Sequence, residues 1–600
     1  MEYLDLNCTS KEKISDLVQK FAITAFGLNF KFRPNQKETI VDIICQWKNG
    51  TKNVILNAPT GSGKSYIALI IGGVLSKYFG KKGYVLISDL SLLQQYYDDV
   101  DMYFPNWGVI RGQQTYICNV NGFNFTVGAC KLAGYKTYSQ IISNCPECSQ
   151  YCEYILARRR AINADVTVCT YPFWLIQQNY VRRQFKNDNG EECAPFGKRD
   201  FVICDEAHKL LDIVQSQFSP RFGRDDQIKI NLVVDNMSIV EKEETKHNIH
   251  EIREKIKHTN FENVDVIFND LETYIGFIKP LAESTEYIKK RFAKSTKISK
   301  NDRILINACD FIDDHYKKFL EYVKIIEKSG TKSLIKNDSD LNKDVIIFNC
   351  LNESYLMNRV FHSNCEKAVY MSATIGDPDI YANSISCNDS YSHFELPPIF
   401  DYAKSPIFFV NEYKMSYKEK ETSFPRIAEM IHSILLMYKD RSGIIQTGSY
   451  AFAKKLFDIL PNEDKKRILL YNDSHEKQEQ LDDFKYNENK VLIGPSLTEG
   501  LSLDDDLCRF QIIMKMPYPS LNDRYISIKN KYNPRWYNDI TAVSLLQGVG
   551  RGVRNENDWC ITFILDACFT TLYMNTKSMF SKDFVNRIQV IPSQAILNNI

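Results

Sequence analysis

The sequence predicts an α/β protein built from two parallel-sheet lobes. Short, nearly continuous apolar strands alternate with helices between Asn53 and Asp205, as expected of strands covered on both faces. A second set of such strands returns after Ser405. Two segments, Arg111 to Arg160 and about Leu211 to Glu366, break the rhythm and read as insertions into the first lobe.

The chain has 600 residues, enough for several domains and more than one buried core. Its 44% hydrophobic and 25% charged content is ordinary for a soluble protein. A net charge of +1 neither demands nor excludes nucleic acid, because a basic groove can sit on a neutral protein. The first residues, MEYLDLNCTSKEK, are acidic and polar, unlike a signal peptide. The apolar run YIALIIGGVL after Lys64 is too short to span a bilayer. The expected setting is therefore the cytoplasm, nucleoid-associated or that of a host cell if the source is viral, with no membrane partner. In that setting the 17 cysteines suggest a metal site before disulfides.

In the first lobe, the strand within KNVILN leads into APTGSGKS, Ala58 to Ser65, and then into an apolar helix. This is a Walker A loop. Backbone amides around Pro59, Thr60, Gly61, Ser62 and Gly63 wrap phosphates, Lys64 reaches the β- and γ-phosphates, and the Ser65 hydroxyl ligates magnesium. The helix that follows adds its positive N-terminus. GYVLISDL and DVTVCTY are further strands, and DFVIC ends in Asp205, Glu206, Ala207 and His208. Asp205 is placed to hold magnesium, Glu206 to polarise the attacking water, and His208 to couple ATP to nucleic acid. Adjacent carboxylates at a surface turn are common; the loop upstream makes this pair significant. FRPNQ, Phe32 to Gln36, offers Gln36 as an adenine reader.

Ser372 to Thr374 follow the strand KAVYM, where a polar turn would be the bland alternative to a link between nucleotide and nucleic acid. PIFFVNE, SGIIQTG, KVLIGPS, FQIIMKMP and WCITFILD are the strands of the second lobe. QGVGRGVR sets Gln547, Arg551 and Arg554 where a helix can present both arginines to a γ-phosphate across the interlobe cleft. The two lobes read as RecA-like, and the cofactors expected are ATP and Mg²⁺.

The first insertion holds Cys118, Cys130, Cys145, Cys148 and Cys152. Four thiolates suffice for an iron–sulfur cluster or for structural zinc, and spacing alone leaves both open. Cys169 and Cys204 lie on predicted core strands and read as packing.

These motifs, in this order, resemble superfamily 2 helicases of the XPD/DinG iron–sulfur family. RGQQTYIC (Arg111 to Cys118), CEYILARRRAINADVTVCTYPFWL (Cys152 to Leu175) and TEGLSL (Thr498 to Leu503) carry the likeness to that branch, which extends over about Lys31 to Asp566. The branch usually has Asp two residues after the motif V Glu-Gly, where this chain has Ser502; Glu499 and Gly500 alone are carried over as nucleotide-site residues. The resemblance implies a 4Fe–4S cluster on Cys118, Cys130, Cys145 and Cys152, with Cys148 spare or replacing Cys130, and zinc as the alternative. It implies the domain plan 1–110, 154–210 and 367–400 for lobe one, 111–153 for the cluster domain, 211–366 for a helical Arch-like insertion, and 401–600 for lobe two. It further implies an ATP-hydrolysing DNA helicase moving 5′→3′ on single-stranded and forked DNA. A monomer is expected, protein partners are undefined, and a fused nuclease domain is not expected. Tyr274, Phe277 and Tyr287 in the insertion are candidates for base stacking, although helical spacing makes core packing the commoner role. The competing readings are a DEAH-type RNA helicase or remodeller, and a DNA-binding ATPase scaffold without processive unwinding.

Overall fold

The computed structural model describes residues 3–135, 138–181, 196–237, 241–259, 264–292, 298–330, 334–340, 345–388, 390–399, 404–471, 474–495, 505–553 and 558–598. The first lobe is a seven-stranded parallel sheet. In chain order its strands are β1 (Asn53–Asn57), β2 (Gly83–Ile87), β3 (Gly108–Ile110), β4 (Val166–Thr170) and β5 (Arg199–Asp205). After β6 (Arg221–Phe222), β7 (Leu334–Asp340) and β8 (Val345–Cys350), which lie elsewhere, the sheet is completed by β9 (Cys365–Ser372) and β10 (Tyr391–Glu395). The spatial order is β10-β1-β9-β5-β2-β4-β3.

Alternation along the strands explains why both faces are covered. Val54, Leu56, Val85 and Ile87 pack on one face, and Ile55, Tyr84 and Leu86 on the other. With no polar face to leave in water, these strands read as unbroken apolar runs. The helix Lys64–Phe79 lies against the first face and uses two glycines to come close: a Cβ on Gly72 would stand 2.7 Å from Trp107, and one on Gly73 only 1.9 Å from the Phe21 ring. Gly73→Ala is therefore expected to cost about 1–3 kcal/mol through overpacking, seen as a lower unfolding midpoint in thermal denaturation; an unchanged midpoint would contradict this packing.

The second lobe repeats the architecture with β11 (Ile407–Phe409), β12 (Gly443–Gln446), β13 (Ile468–Leu470), β14 (Val491–Gly494), β15 (Phe510–Ile513), β16 (Ile561–Ile564) and β17 (Ile588–Val590). All its pairings are parallel, in the order β13-β14-β12-β15-β16-β11-β17.

Between β5 and β9 the chain leaves the first sheet. Long helices, Arg224–Asp235, Lys242–His258, Val264–Lys290 and Lys300–Ser329, are joined there by a small antiparallel sheet of β6, β8 and β7 that the charged, helical sequence did not suggest. Its core is aromatic. Phe222 packs on Tyr274 and Phe319 with ring centroids 4.5 and 4.8 Å apart, and Tyr274 is fully buried with its hydroxyl 2.8 Å from His315 Nε2. Phe277 is half-buried against the same core, whereas Tyr287 is exposed and carries the Arg291 guanidinium 5.2 Å from its ring centre. Tyr274 is thus a packing residue, and Tyr287 remains on the surface.

The cysteine segment folds as short helical turns, with an isolated bridge pairing Ile117 and Asn124, before the helix Glu153–Asn163 returns the chain to β4. Among the described residues no helix is long and apolar enough to cross a membrane.

Candidate functional site: a cleft between the lobes

The end of β1 turns sharply. Gly61 and Gly63 have φ of +85° and +76°, values open to glycine at little cost. The loop is tied down from both sides. Ala58 N–H donates to the Ser372 carbonyl at 2.8 Å, binding the loop to the end of β9. Gln36, only 1% exposed, donates its amide to the carbonyls of Ser62 and Gly63 at 3.2 Å each and accepts from Arg33 N–H at 3.1 Å. A Cβ at position 63 would fall 2.7 Å from that Gln36 amide. In this arrangement Gln36 braces the loop, and its hydrogen-bonding groups are engaged there. Ala58 and Ser62 are buried beneath the loop, while Pro59, Thr60, Gly61 and Lys64 line the cleft.

The end of β5 meets the loop from beneath. Asp205 is 1% exposed; its Oδ1 accepts from Glu206 N–H at 2.9 Å and its Oδ2 from the Tyr96 hydroxyl at 3.0 Å. Burial, and then the negative charge of Glu206, push its pKa up to about 6, against the pull of Lys64 and these two donors. Glu206 adopts the left-handed region at φ +50°, an uncommon conformation for a side-chain-bearing residue. One of its oxygens lies 3.7 Å from Lys64 Nζ; the other lies 3.3 Å from both the Ser372 hydroxyl and His208 Nδ1. His208 Nδ1 is also 2.8 Å from Ser372 Oγ. Lys64, Glu206, His208 and Ser372 therefore form one polar chain from loop to β9. Beyond it, Thr374 N–H donates to Ser372 Oγ at 3.4 Å, and Ile375 N–H to Asn57 Oδ1 at 3.2 Å.

This constellation faces the second lobe across a cleft of about 300 Å³, lined there by Gln547, Gly550, Asp583 and Arg587. Arg551 lies in the tight turn Gly550–Gly552 at the cleft's edge. Arg554, Glu499 and Gly500 fall outside the described residues. Direct polar contact between lobes occurs beside the cleft, where Asp377 N–H donates to Asp539 Oδ1 at 2.8 Å, and Gly376, at φ +92°, leaves room for that carboxylate. Tyr96, Asn57, Asp539 and Arg587 belong to no motif legible in the sequence. Geometry alone brings them here.

A cleft with phosphate-wrapping amides, an ammonium and a buried carboxylate suits a magnesium nucleotide. The hard oxygen donors Asp205 and Ser65 match magnesium's preference, and the buried charge of Asp205 is one a cation would balance.

Cys118, Cys130, Cys148 and Cys152 are buried and Cys145 is half-buried. Burial, with smaller contributions from the Cys118 and Cys152 thiols, pushes Cys130 up to about 11. Cys148 is raised by burial and by its hydrogen bond with Cys145, and feels Cys130 and Cys152 as well. Cys152 is raised by burial and by Cys118 and Cys145. Cys130, Cys148 and Cys152 thus each have other thiols of this set as neighbours, and a group of sulfur donors so gathered fits a thiolate-ligated cluster. Among the described residues no group of three or more His, Cys, Asp or Glu side chains closes around a single metal-ion position. Cys169 and Cys204 are fully buried in the sheet, as packing residues are.

Fold and site together define a protein of two RecA-like lobes with a nucleotide-binding cleft between them. The model of the helicase C-terminal domain matches residues 433–587, and that of the type III restriction enzyme res subunit matches residues 29–217. A probable ATP-dependent helicase of Methanocaldococcus jannaschii is 22% identical over 90% of this chain and 92% of its own length. The ATP-dependent DNA helicase XPD of Sulfolobus acidocaldarius is 36% identical over a short stretch, 14% of this chain and 18% of that one. Among solved structures, an XPD helicase superposes with a TM-score of 0.63 at 16% identity, covering 94% of this chain and all of that one (100%). Xpd4 of S. tokodaii superposes with a TM-score of 0.59 at 14% identity, covering 93% of this chain and 99% of that one. The matched models, the full-length likeness to an ATP-dependent helicase and the superposition on XPD structures together support an XPD/DinG-like ATP-dependent helicase of superfamily 2.

Proposed function

We propose that this helicase acts on DNA, moving 5′→3′ along a single strand and opening forked duplexes. The observation that carries the ATP-driven part of the reading is the convergence of Lys64, Glu206 and His208 in one cleft facing the second lobe, with Asp205 and Ser372 buried beside it, while the DNA substrate and polarity rest on the likeness to XPD-type helicases. ATP enters with its phosphates on the Ala58–Ser65 loop. Lys64 exchanges Glu206 for the β- and γ-phosphates. Ser65 and Asp205 would hold magnesium, which would offset the phosphate charge. Glu206, released, orients the attacking water. Arg551 and Arg554, with Gln547, approach from the second lobe, and Glu499 and Gly500 complete the nucleotide contacts. Ser372 and His208 sense the change at Glu206 and pass it to the nucleic-acid face. Closure on ATP and reopening after hydrolysis then step the lobes along the strand.

The domain plan follows the same reading. The sheet segments of 1–110, 154–210 and 367–400 form the first lobe, 111–153 the cluster domain, 211–366 the Arch-like insertion and 401–600 the second lobe. In the cluster domain Cys118, Cys130 and Cys152, with Cys145 or Cys148, would hold a 4Fe–4S cluster. That group would cross-link a segment that has little apolar core of its own. A cubane takes one thiolate per iron, so its ligands need not close on one point as around zinc. The cytoplasm or nucleoid is the proposed setting and a monomer the proposed state.

Two measurements test these readings. ATP turnover should rise with single-stranded DNA more than with RNA, and the reverse preference would favour the RNA-helicase reading. Anaerobically purified protein should be brown with about four irons per chain; colourless protein with stoichiometric zinc would overturn the cluster.

A further inference from the structure

Tyr96 is fully buried on the helix Leu90–Tyr103, which follows β2. Other buried tyrosines around this sheet satisfy their hydroxyls on neutral acceptors: Tyr171 donates to the Asp205 carbonyl at 2.9 Å, Tyr381 to that of Ala207 at 2.7 Å, Tyr84 to that of Gly197 at 2.8 Å and Tyr370 to the Asn53 side-chain amide oxygen at 3.3 Å. Such bonds do no more than satisfy a phenol that packing has buried. Tyr96 differs. Its hydroxyl donates to a carboxylate, Asp205 Oδ2, at 3.0 Å. This side chain thus touches the carboxylate at the end of β5 to which the proposed function assigns magnesium.

We infer that Tyr96 is a positioning residue for the magnesium site, fixing the Asp205 carboxylate beneath the phosphate loop. The geometry explains how. Asp205 Oδ1 is held by Glu206 N–H at 2.9 Å and Oδ2 by the phenol, so the plane of the carboxylate is set. Each oxygen keeps a lone pair for a metal-bound water. A fixed carboxylate meets the strict octahedral demand of magnesium without an ordering cost at binding. The same helix places Tyr97, the next residue, at the surface, 39% exposed, with the Arg111 guanidinium 5.2 Å from its ring centre. Adjacent residues therefore join the metal site to the entrance of the cysteine segment.

The inference rests on the reading of Asp205 and Ser65 as magnesium ligands, so the experiment separates the two. Mn²⁺ binding is measured by electron paramagnetic resonance in the full-length protein with ADP present, alongside fluorescent-ADP binding in EDTA. Tyr96→Phe keeps the ring and removes the hydroxyl. Its Mn²⁺ affinity should fall about 10–100-fold while ADP binding in EDTA stays at the wild-type level. 3-Fluorotyrosine at position 96, which keeps the hydroxyl, should retain wild-type Mn²⁺ affinity, and 4-aminophenylalanine, which replaces the hydroxyl with another hydrogen-bond donor, should recover most of what Tyr96→Phe loses. Mn²⁺ affinity within twofold of wild type in Tyr96→Phe, equal losses with and without metal, or loss in the fluorotyrosine protein would each overturn the positioning role. Asp205→Asn is the control. If it too leaves Mn²⁺ affinity unchanged, the metal assignment fails; if it alone loses affinity, only the inference about Tyr96 fails.

Discussion

Replacing Lys64 with alanine is expected to lower ATP turnover by at least about 10²–10³-fold, the scale of removing one preorganised charge-stabilising donor. The structure makes this residue hard to replace. Its side chain is only 15% exposed, and its ammonium stands 3.7 Å from Glu206, with the Ala58 carbonyl at 3.5 Å. It also holds down the pKa of Asp205. Lys64→Ala therefore removes the cation that meets the phosphates and leaves two neighbouring carboxylates facing each other. Single-strand binding should persist, since strand affinity comes chiefly from phosphate contacts made elsewhere. A coupled ATPase assay beside fluorescence anisotropy on a labelled oligonucleotide checks both halves. Turnover within tenfold of wild type would remove the loop from the catalytic site.

Glu206→Gln should fail differently. The amide matches the carboxylate in shape and keeps an acceptor for the Ser372 hydroxyl, yet it cannot serve as a base. A loss of about 10²–10⁴-fold in turnover is expected, with fluorescent-ATP binding kept near wild type. The variant should then hold ATP and a closed cleft, so that strand affinity measured with ATP rises rather than falls. If ATP binding is lost together with turnover, Glu206 supports the loop and does not act on water. The two variants thus divide the cleft into a phosphate-holding part and a water-activating part.

How much of this was legible in the sequence depends on burial. Strands β1, β2, β4, β5 and β9 of the first sheet, and β11, β12, β14, β15 and β16 of the second, are flanked on both sides by neighbours, and all were readable as apolar runs. The strands that escaped notice, β3, β10, β13 and β17, are the edges of the two sheets. They are only three to five residues long, and β10 and β17 are largely solvent-facing. An edge strand has one neighbour and needs no continuous apolar face, so its composition resembles that of a loop. The small sheet of β6, β7 and β8 was hidden for a related reason: its strands include the two-residue β6 and the polar β7, set among long helices whose periodicity dominates.

The site divides along similar lines. Lys64, Asp205, Glu206 and His208 announce themselves because their chemistry needs fixed spacing within a few residues. Tyr96 stands 109 residues from Asp205 and Asp539 162 residues from Asp377, so only the folded sheet brings these pairs together. Gln36 was visible as a residue but not in its structural role, since the Ser62 and Gly63 carbonyls it holds lie 26 and 27 residues away.

Strand displacement on tailed duplexes tests the central claim most directly. A DNA duplex with a 5′ single-stranded tail, its 3′-tailed counterpart and the matching RNA duplexes are each incubated with the protein and magnesium–ATP. ATP-dependent separation of the 5′-tailed DNA, with the 3′-tailed DNA and the RNA left paired, is the predicted result. Separation of the RNA alone, opening only from a 3′ tail, or no separation by a protein that still hydrolyses ATP would contradict it.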